Sequence, residues 1–456
     1  MWHIKKDFNS LFSRNTDHFA AIDGLRSISC LMIISVHLIS FLSTFISPYP
    51  HVKWFNYLKS FSFCFTPILL LSLETFFVIS GFLLTYKFLC QWNELKSSKE
   101  FFQQYPMYIL RRACRYWPGI LLISIIILLF GEIKANYVSM WLFFQNCVSM
   151  DTWSITMGPL WSVSLDMQIH IILPLILFLI YSSRNSINIL YSLYILVILS
   201  IIYMLLLFDP KSMNIIPIIS KYNTMSILTL ENSAQWINTR YNITFPIIKL
   251  HPNPVKLYME HLYFPFFSRY SSFIIGAILA VKLINIKQNR LTRMNIFKKY
   301  LYFILIWSYM FILVLPPPLN DDGQLLIDDW IVTIFTCCSR QLFAICQAFI
   351  LFSVLCPTSY PYHSSILKTI LSLQIWSPIA KLSYLIYVIH FRVAFELIMM
   401  IKPNDINGSS IDYLTLFYLV LVFSICIPIT SLWHIFVEKP FERYIHRMLN
   451  RKIHQN

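Results

Sequence analysis

Residues 160–180 read LWSVSLDMQIHIILPLILFLI, and this segment is the clearest indication of how the chain folds. A single α-helix of its 21 residues is long enough to cross the hydrocarbon core of a bilayer. Ser162, Asp166 and His170 recur at every fourth position, so a helix would place all three on one face. The segment therefore predicts a membrane-spanning helix with a polar stripe on an otherwise apolar surface.

The composition of the whole chain agrees with that segment. Of its 456 residues, 57% are hydrophobic and only 12% are charged, and the mean hydropathy is +0.62. A soluble domain carries about 25% charged residues, so water cannot be the main solvent of this chain. The same values exclude a disordered chain. Most of the ten cysteines lie in apolar runs, which excludes a secreted disulfide scaffold.

Ten segments are candidate membrane spans, so we predict an all-α polytopic membrane protein with a bundle of about ten transmembrane helices. The spans are predicted at Ser27–Ile46, Thr66–Tyr86, Tyr116–Gly131, Leu160–Ile180, Ile187–Phe208, Arg269–Val281, Tyr300–Leu315, Trp330–Cys356, Leu382–Ile401 and Tyr413–Val437. The third and the sixth are short, and we expect them to extend into flanking polar residues or to cross at a tilt.

Lysine and arginine indicate how these spans are oriented. With the N-terminus in the cytoplasm and alternating spans, the cytoplasmic segments hold 24 of the 36 basic residues. The same arrangement puts both glycosylation sequons, at Asn242 and Asn407, on the opposite side, where glycosylation takes place. We therefore predict an integral multi-pass glycoprotein of the endoplasmic reticulum or plasma membrane. Both termini are cytoplasmic in this prediction, and the first span serves as an uncleaved signal.

The formal net charge of +15 follows mostly from this topology, so we expect no nucleic-acid partner. We divide the chain into a cytoplasmic N-terminal segment (1–22), a membrane domain (23–441) and a basic cytoplasmic tail (442–456). The membrane domain includes a large extracytoplasmic loop, residues 209–268, which carries no recognisable motif.

Polar groups inside the spans are the candidates for function, because a charge at the bilayer centre costs about 2.5–3.5 kcal/mol. In the first span Arg26 and His37 share one helix face, and the rise between them places His37 near the midplane. In the ninth span Ser383, Tyr387 and His390 share one face, and His390 also approaches the midplane. A single buried histidine is more often a satisfied core residue, but two at one depth favour a functional role.

Two further groups allow both a structural and a functional interpretation. Arg112 and Arg115 are helix neighbours before the third span, where they are either a positive anchor at the membrane surface or a binding site for phosphate. Asp166 and His170 can satisfy each other, or the carboxylate can orient the imidazole for proton transfer. We find no zinc-site spacing, no glycine-rich phosphate loop and no Gly-x-Ser-x-Gly elbow in the sequence.

These motifs together resemble those of the acyltransferase type 3 family of multi-pass membrane proteins, and most closely its animal "nose resistant to fluoxetine"-like branch. Seven short motifs occur in family order. The residues that match them are Asp23, Gly24, Arg26, His37, Phe76, Phe77, Ser80, Gly81, Arg112, Arg115, Pro118, Trp161, Asp166, Met167, Gln168, Pro174, Arg269, Gly276, Ser383, Tyr384, Tyr387, His390, Glu438, Pro440 and Phe441. One departure is Glu74, which stands where the family usually has an aspartate.

The resemblance implies a membrane-bound acyltransferase that moves an acyl group to a hydroxyl or amine of a carbohydrate, lipid or other acceptor. The donor it implies is acyl-coenzyme A, as a co-substrate. We expect no metal and no tightly bound cofactor, and the expected partners are membrane lipids together with small-molecule or glycan substrates. The alternative is a lipid or small-molecule transporter, which ten spans with polar groups at the midplane suit equally well.

On the acyltransferase hypothesis, the catalytic residues are His37 as general base and Asp166 as a residue that orients or polarises a catalytic group. We expect substrate binding from Arg26, Arg112, Arg115, Ser383, Tyr387 and His390. The predicted topology puts the arginines and Glu438 at the cytoplasmic end and the two histidines near the middle. It puts Asp166 and Glu74 nearer the outer end.

Overall fold

The structure is a computed structural model that describes residues 2–13, 19–45, 61–92, 98–132, 135–181, 186–208, 258–287, 306–309, 328–358, 360, 362–401 and 411–453. These residues are almost entirely helical, and no strand occurs among them. The predicted all-α fold class is therefore confirmed.

The α-helices of these residues are numbered in chain order. They are α1 (Trp2–Phe12), α2 (Ala20–Phe45), α3 (Phe61–Leu71), α4 (Leu73–Trp92), α5 (Ser98–Phe130), α6 (Tyr137–Trp141), α7 (Leu160–Tyr181), α8 (Ser186–Leu207), α9 (Phe266–Lys287), α10 (Asp329–Leu355), α11 (Ser365–Leu371), α12 (Trp376–Met400), α13 (Ile411–Trp433) and α14 (Lys439–Ile453). A π-helical turn (Met259–Tyr263) precedes α9, and another (His434–Glu438) joins α13 to α14.

Nine of the ten predicted spans correspond to helices in the described residues that are long and apolar enough to cross a bilayer. The seventh prediction, Tyr300–Leu315, lies outside the described residues except for 306–309, which are helical. Both sequons and residues 209–257 of the large loop also lie outside them. The described part of the chain is thus a multi-pass helical membrane protein.

Two spans that the sequence predicted to be short are long helices. α5 has 33 residues and begins at Ser98 rather than at Tyr116, and α9 has 22 residues. Charged residues such as Arg112 interrupt an apolar run in the sequence. They are nevertheless good helix formers, and they continue a helix when they face protein instead of lipid. Arg112 therefore lies in the interior of α5 and not at its entrance.

α4 and α9 pack with almost no space between their backbones. A Cβ atom added to Gly81 would collide with the carbonyl oxygen of Phe273, and one added to Gly276 would collide with that of Val78. Small residues let membrane helices approach in this way, and the contact gains van der Waals packing. Gly81 is thus part of the closest helix contact, whereas the side chain of the neighbouring Ser80 donates to Asp166.

α2 and α12 lie side by side and run in the same direction. Ser27 Oγ donates to the carbonyl oxygen of Trp376 at 2.9 Å, and further along both helices His37 Nδ1 lies 2.7 Å from His390 Nε2. The two histidines that the sequence placed near the midplane of separate spans therefore meet at one depth.

The segment between α5 and α7 folds back between these helices instead of staying at their ends. Trp117 Nε1 donates to the carbonyl oxygen of Trp141 at 3.5 Å, and Gln168 Nε2 donates to that of Phe143 at 3.1 Å. Gln168 lies eight residues inside α7, which is about 12 Å along its axis. Phe143 turns the chain at this depth with a φ of 59°. The sequence did not predict this inward fold.

Both ends of the chain lie at the same end of the bundle. Arg443 in α14 donates to both carboxylate oxygens of Asp7 in α1, at 2.8 and 2.7 Å. Lys381 in α12 donates to the carbonyl oxygens of Ser10 and Ser13, each at 2.6 Å, and so caps the C-terminal end of α1. The helices α1 and α14 therefore lie together at one end of the bundle. That both termini are cytoplasmic stays a prediction.

Candidate active site

A cavity of about 740 Å³ lies between α2, α4, α5, α7 and α12. Along α4 its lining runs from Leu73 to Gln91, which is about 27 Å of helix. Lys381 belongs to the lining and also contacts α1. The cavity therefore opens toward the end of the bundle that holds both ends of the chain.

Positive charge is concentrated in one part of this cavity. Its basic lining residues are Arg26, Lys87, Arg112, Arg115 and Lys381. Lys87 lies within electrostatic range of the three arginines. Arg26, Lys87 and Arg115 make no hydrogen bond to any residue that the structure describes. The cavity thus holds several cations whose hydrogen-bond donors remain available.

The rest of the lining is mostly apolar and aromatic. It includes Leu73, Phe76, Phe77, Leu84, Phe88 and Val163. A cavity with available cations in one part and apolar walls in another suits a ligand that has an anionic head and an apolar tail.

Asp166 connects three helices in the cavity wall. Its Oδ1 accepts a hydrogen bond from Ser80 Oγ at 2.5 Å, and its Oδ2 accepts one from Arg112 Nη2 at 2.7 Å and another from Tyr116 Oη. His170 Nδ1 lies 3.3 Å from the same Oδ2. Both oxygens are occupied by protein donors, so the carboxylate holds α4, α5 and α7 together and balances the charge of Arg112.

This ion pair corrects the depth that the sequence indicated for Asp166. We expected Arg112 at the cytoplasmic end and Asp166 nearer the outer end, but the two side chains are in contact. The two side chains therefore lie at one depth. Hydropathy cannot show this, because the contact depends on how α5 and α7 pack against each other.

His170 is a buried member of the cavity wall. Its Nδ1 lies 2.8 Å from the backbone carbonyl oxygen of Asp166, one turn earlier in α7. A carbonyl oxygen only accepts, so Nδ1 carries the hydrogen and Nε2 of the neutral ring keeps its lone pair. Nε2 has no hydrogen-bond partner among the described residues. His170 therefore offers one free acceptor to a ligand.

The inner part of the cavity ends at a pair of hydroxyl groups. Ser162 Oγ lies 2.7 Å from Tyr387 Oη, and both hydroxyls are within 3.1 Å of the carbonyl oxygen of Pro159. Ser383, one turn from Tyr387 on α12, also lines the cavity and donates to the carbonyl oxygen of Ala380 at 2.8 Å.

His37 and His390 are not part of the cavity lining. Their rings contact each other, and His390 Nδ1 lies 2.6 Å from the carbonyl oxygen of Tyr387. His390 is fully buried, whereas His37 keeps part of its surface exposed. Tyr387 therefore belongs to both groups, because its side chain lines the cavity and its backbone holds His390.

The structure brings six of the eight predicted site residues to one cavity and the other two to a pair beside it. The six are Arg26, Arg112, Arg115, Asp166, Ser383 and Tyr387. Sequence reasoning missed the roles of Ser80, Lys87 and Tyr116. The spacing of these residues could have indicated their roles. Ser80 and Lys87 share one face of α4, and Tyr116 lies four residues after Arg112 on the same face of α5.

Glu74 does not belong to this cavity and does not face lipid. It is fully buried, forms an ion pair with Arg269 and accepts a hydrogen bond from Ser272 Oγ at 2.6 Å. Glu438 does line the cavity, and its carboxylate lies 2.6 Å from His434 Nδ1. Of the two acidic residues, only Glu438 can thus contact a ligand in the cavity.

Comparison with known proteins gives one match. A family model described as an acyltransferase domain matches residues 19–433. The match begins one residue before α2 and ends with the last residue of α13, so it leaves out α1 and α14. No curated protein and no solved structure matches the chain.

Proposed function

Because the chain belongs to the acyltransferase type 3 family, we propose that it transfers an acyl group from acyl-coenzyme A to a hydroxyl or amine of a carbohydrate, lipid or other acceptor. The reaction takes place at or across the membrane. Within the family we assign the chain to the animal "nose resistant to fluoxetine"-like branch, on the seven motifs from Asp23 to Phe441.

The observation that carries this proposal is the composition of the cavity along its length. Available cations at Arg26, Lys87 and Arg115 fit the phosphates of a coenzyme A head, since guanidinium groups donate paired hydrogen bonds to phosphate. The apolar and aromatic lining fits the acyl chain and its thioester. The donor enters the cavity from the end of the bundle that holds both ends of the chain. The acceptor approaches His37 from outside this cavity, because His37 is not part of its lining.

In the proposed reaction His37 is the general base. Its Nε2 takes the proton of the acceptor hydroxyl while the acceptor oxygen attacks the thioester carbonyl carbon. The tetrahedral oxyanion is stabilised by a hydroxyl donor at the inner end of the cavity, where Tyr387 exchanges its hydrogen bond to the carbonyl oxygen of Pro159 for one to the oxyanion. When the C–S bond breaks, the thiolate takes the proton from His37 and leaves as coenzyme A, and the ester remains on the acceptor.

Asp166 acts in this scheme through its neighbours and not as a proton acceptor. It contacts Arg112 and His170, which both line the cavity, and so orients their side chains toward the donor.

Loss of His37 should lower turnover by about 10²–10⁴-fold, the usual contribution of a positioned proton acceptor. Transfer of labelled acyl groups by purified His37→Ala protein at the wild-type rate would remove this mechanism.

The donor site is tested by thermal stabilisation with coenzyme A in comparison with free fatty acids. We expect coenzyme A to raise the melting temperature of the wild type, and the shift to disappear in the double variant Arg26→Gln/Arg115→Gln. Arg112 stays unchanged because its removal would leave Asp166 unbalanced. The matched control is Arg111→Gln, since Arg111 is exposed and lies outside the cavity lining. Stabilisation by fatty acids alone, equal in all variants, would favour a lipid translocator.

A further inference from the structure

The rings of His37 and His390 meet edge to edge. Their centroids are 5.0 Å apart, which exceeds the 2.7 Å between His37 Nδ1 and His390 Nε2 by about the two ring radii. The ring planes differ by only 15°. An N–H bond of one ring therefore points along the lone pair of the other, as a well-aligned hydrogen bond requires. The contact is thus a hydrogen bond between two imidazoles and not a stacking contact.

The direction of this hydrogen bond follows from a third atom. His390 Nδ1 lies 2.6 Å from the carbonyl oxygen of Tyr387, which can only accept, so this nitrogen carries a hydrogen. Nε2 of a neutral His390 is then an acceptor, and the hydrogen between the rings belongs to His37 Nδ1. The lone pair of His37 is therefore on Nε2.

Burial supports a neutral His390 and an accessible His37. His390 is fully buried, and within the described ranges no carboxylate forms a hydrogen bond or an ion pair with either ring. A charged imidazole at position 390 would have no counter-ion, which is costly in an apolar interior. His37 keeps part of its surface exposed, and among the described residues its Nε2 is the one nitrogen of the two rings that has no protein partner.

We propose that His390 is a positioning residue: its neutral ring fixes the tautomer of His37 and leaves His37 Nε2 free to accept a proton. This inference rests on the proposed function, in which His37 is the general base. The sequence indicated substrate binding for His390, but both of its nitrogens are engaged with protein atoms. Without this partner the hydrogen of His37 can sit on either nitrogen, and only one of the two tautomers can act.

The hydrogen-bond chain also supports the charged form of His37. When Nε2 takes the proton of the acceptor, the bond from His37 Nδ1 to His390 becomes charge-assisted and therefore stronger. The carbonyl group of Tyr387 polarises His390 in the same direction. The proton on Nε2 passes to the departing thiolate, so the pair returns to its starting state without exchanging any other proton.

The kinetic test compares His390→Gln, whose amide oxygen can still accept from His37, with His390→Leu, which cannot. For His390→Leu we expect kcat to fall roughly 100-fold while KM for the acyl donor changes less than about threefold. His390→Gln should recover most of kcat. The control is His363→Leu, which removes a histidine outside both the pair and the cavity lining. Equal losses in the Gln and Leu variants, or a loss confined to KM, contradict the proposal.

A second measurement needs no substrate. In ¹⁵N spectra of imidazole-labelled protein, we expect His37 to show a protonated Nδ1 and an unprotonated Nε2, with the signals assigned by their loss in His37→Gln. In His390→Leu the two tautomers of His37 should mix. A hydrogen on His37 Nε2 in the wild type contradicts the proposal. If no acyl donor supports turnover, the proposed function fails, while these spectra still decide the direction of the hydrogen bond.

Discussion

Glu74 is fully buried against Arg269, and Arg269 is itself only 1% exposed. Removal of one partner of a buried ion pair leaves an uncompensated charge, which typically costs about 3–5 kcal/mol. We therefore expect Glu74→Gln to lower the free energy of unfolding by that amount, measured by denaturation in mixed micelles. The arginine would keep its cation–π contact with Tyr263, whose ring centroid lies 4.1 Å away, but that contact cannot replace a full negative charge.

Two variants make this measurement specific. Glu74→Asp restores the residue type usual in the family and keeps the charge, so it should lose less stability than Glu74→Gln. Glu442→Gln removes an exposed ion pair with Lys439, and exposed pairs are worth about 1 kcal/mol or less. If Glu74→Gln is no worse than Glu442→Gln, the buried pair does not stabilise the fold.

His170 tests the cavity wall without touching the proposed base. Its free Nε2 can accept one hydrogen bond from a donor molecule in the cavity, and such a bond is worth about 1 kcal/mol. Since 1.4 kcal/mol is tenfold in affinity, His170→Phe should raise the Kd for coenzyme A by about fivefold. The melting temperature without ligand reports whether the wall is intact. Unchanged affinity in a stable His170→Phe protein would mean that the ligand does not contact this side chain.

At the scale of single residues, the spacing along each helix predicted which side chains share a face. The predicted topology was a poorer guide to the depth at which those side chains lie. The stripe of Ser162, Asp166 and His170 was visible in the sequence, and all three side chains line one cavity. The contact of Asp166 with Arg112 was not predictable from spacing, because it depends on how α5 and α7 pack against each other. The contact of His37 with His390 likewise depends on the packing of two helices more than 300 positions apart.

At the scale of helices, the backbones of α4 and α9 allow no side chain at their closest point. Gly276→Ala would drive a methyl group into the carbonyl oxygen of Val78, and neither backbone can give way cheaply. Overpacking of this kind typically costs about 1–3 kcal/mol, so we expect a clear loss in thermal stability. The matched control is Gly131→Asn at φ +61°, where nothing lies within 4 Å and asparagine tolerates the backbone. Equal stability of both variants would show that the two helices can separate.

Hydropathy predicted which helices cross the membrane but not where they end or what lies between them. An apolar run stops at its first charge, whereas α5 continues through Arg111, Arg112 and Arg115 because part of this face is covered by protein. The inward fold between α5 and α7 escaped prediction for a similar reason. Its buried Gln145 and Asn146 look like surface residues in the sequence. In the structure the amide nitrogen of Gln145 donates to the carbonyl oxygen of Met157, and that of Asn146 donates to Gln168 Oε1.

At the scale of the whole molecule, three features lie at one end of the bundle: the opening of the cavity, its available cations, and the contact between Asp7 and Arg443. The distribution of lysine and arginine predicts that this end faces the cytoplasm, where coenzyme A would be available to the cavity. The proposed donor therefore approaches from the side of the membrane on which the loops carry most of the lysine and arginine residues. One measurement of orientation tests this arrangement as a whole.

Orientation is measured with single cysteines and a membrane-impermeant maleimide in sealed microsomes, whose outer surface is cytoplasmic. We expect labelling above the wild-type level at Lys5→Cys and Arg447→Cys before permeabilisation, since both positions are exposed at the end that holds α1 and α14. Thr152→Cys, exposed in the segment between α5 and α7, should react only after permeabilisation. If only one of Lys5→Cys and Arg447→Cys is labelled before permeabilisation, the result contradicts the contact between α1 and α14. Protection of both, with Thr152→Cys reactive, would place the cavity mouth away from cytosolic coenzyme A and with it remove the proposed donor.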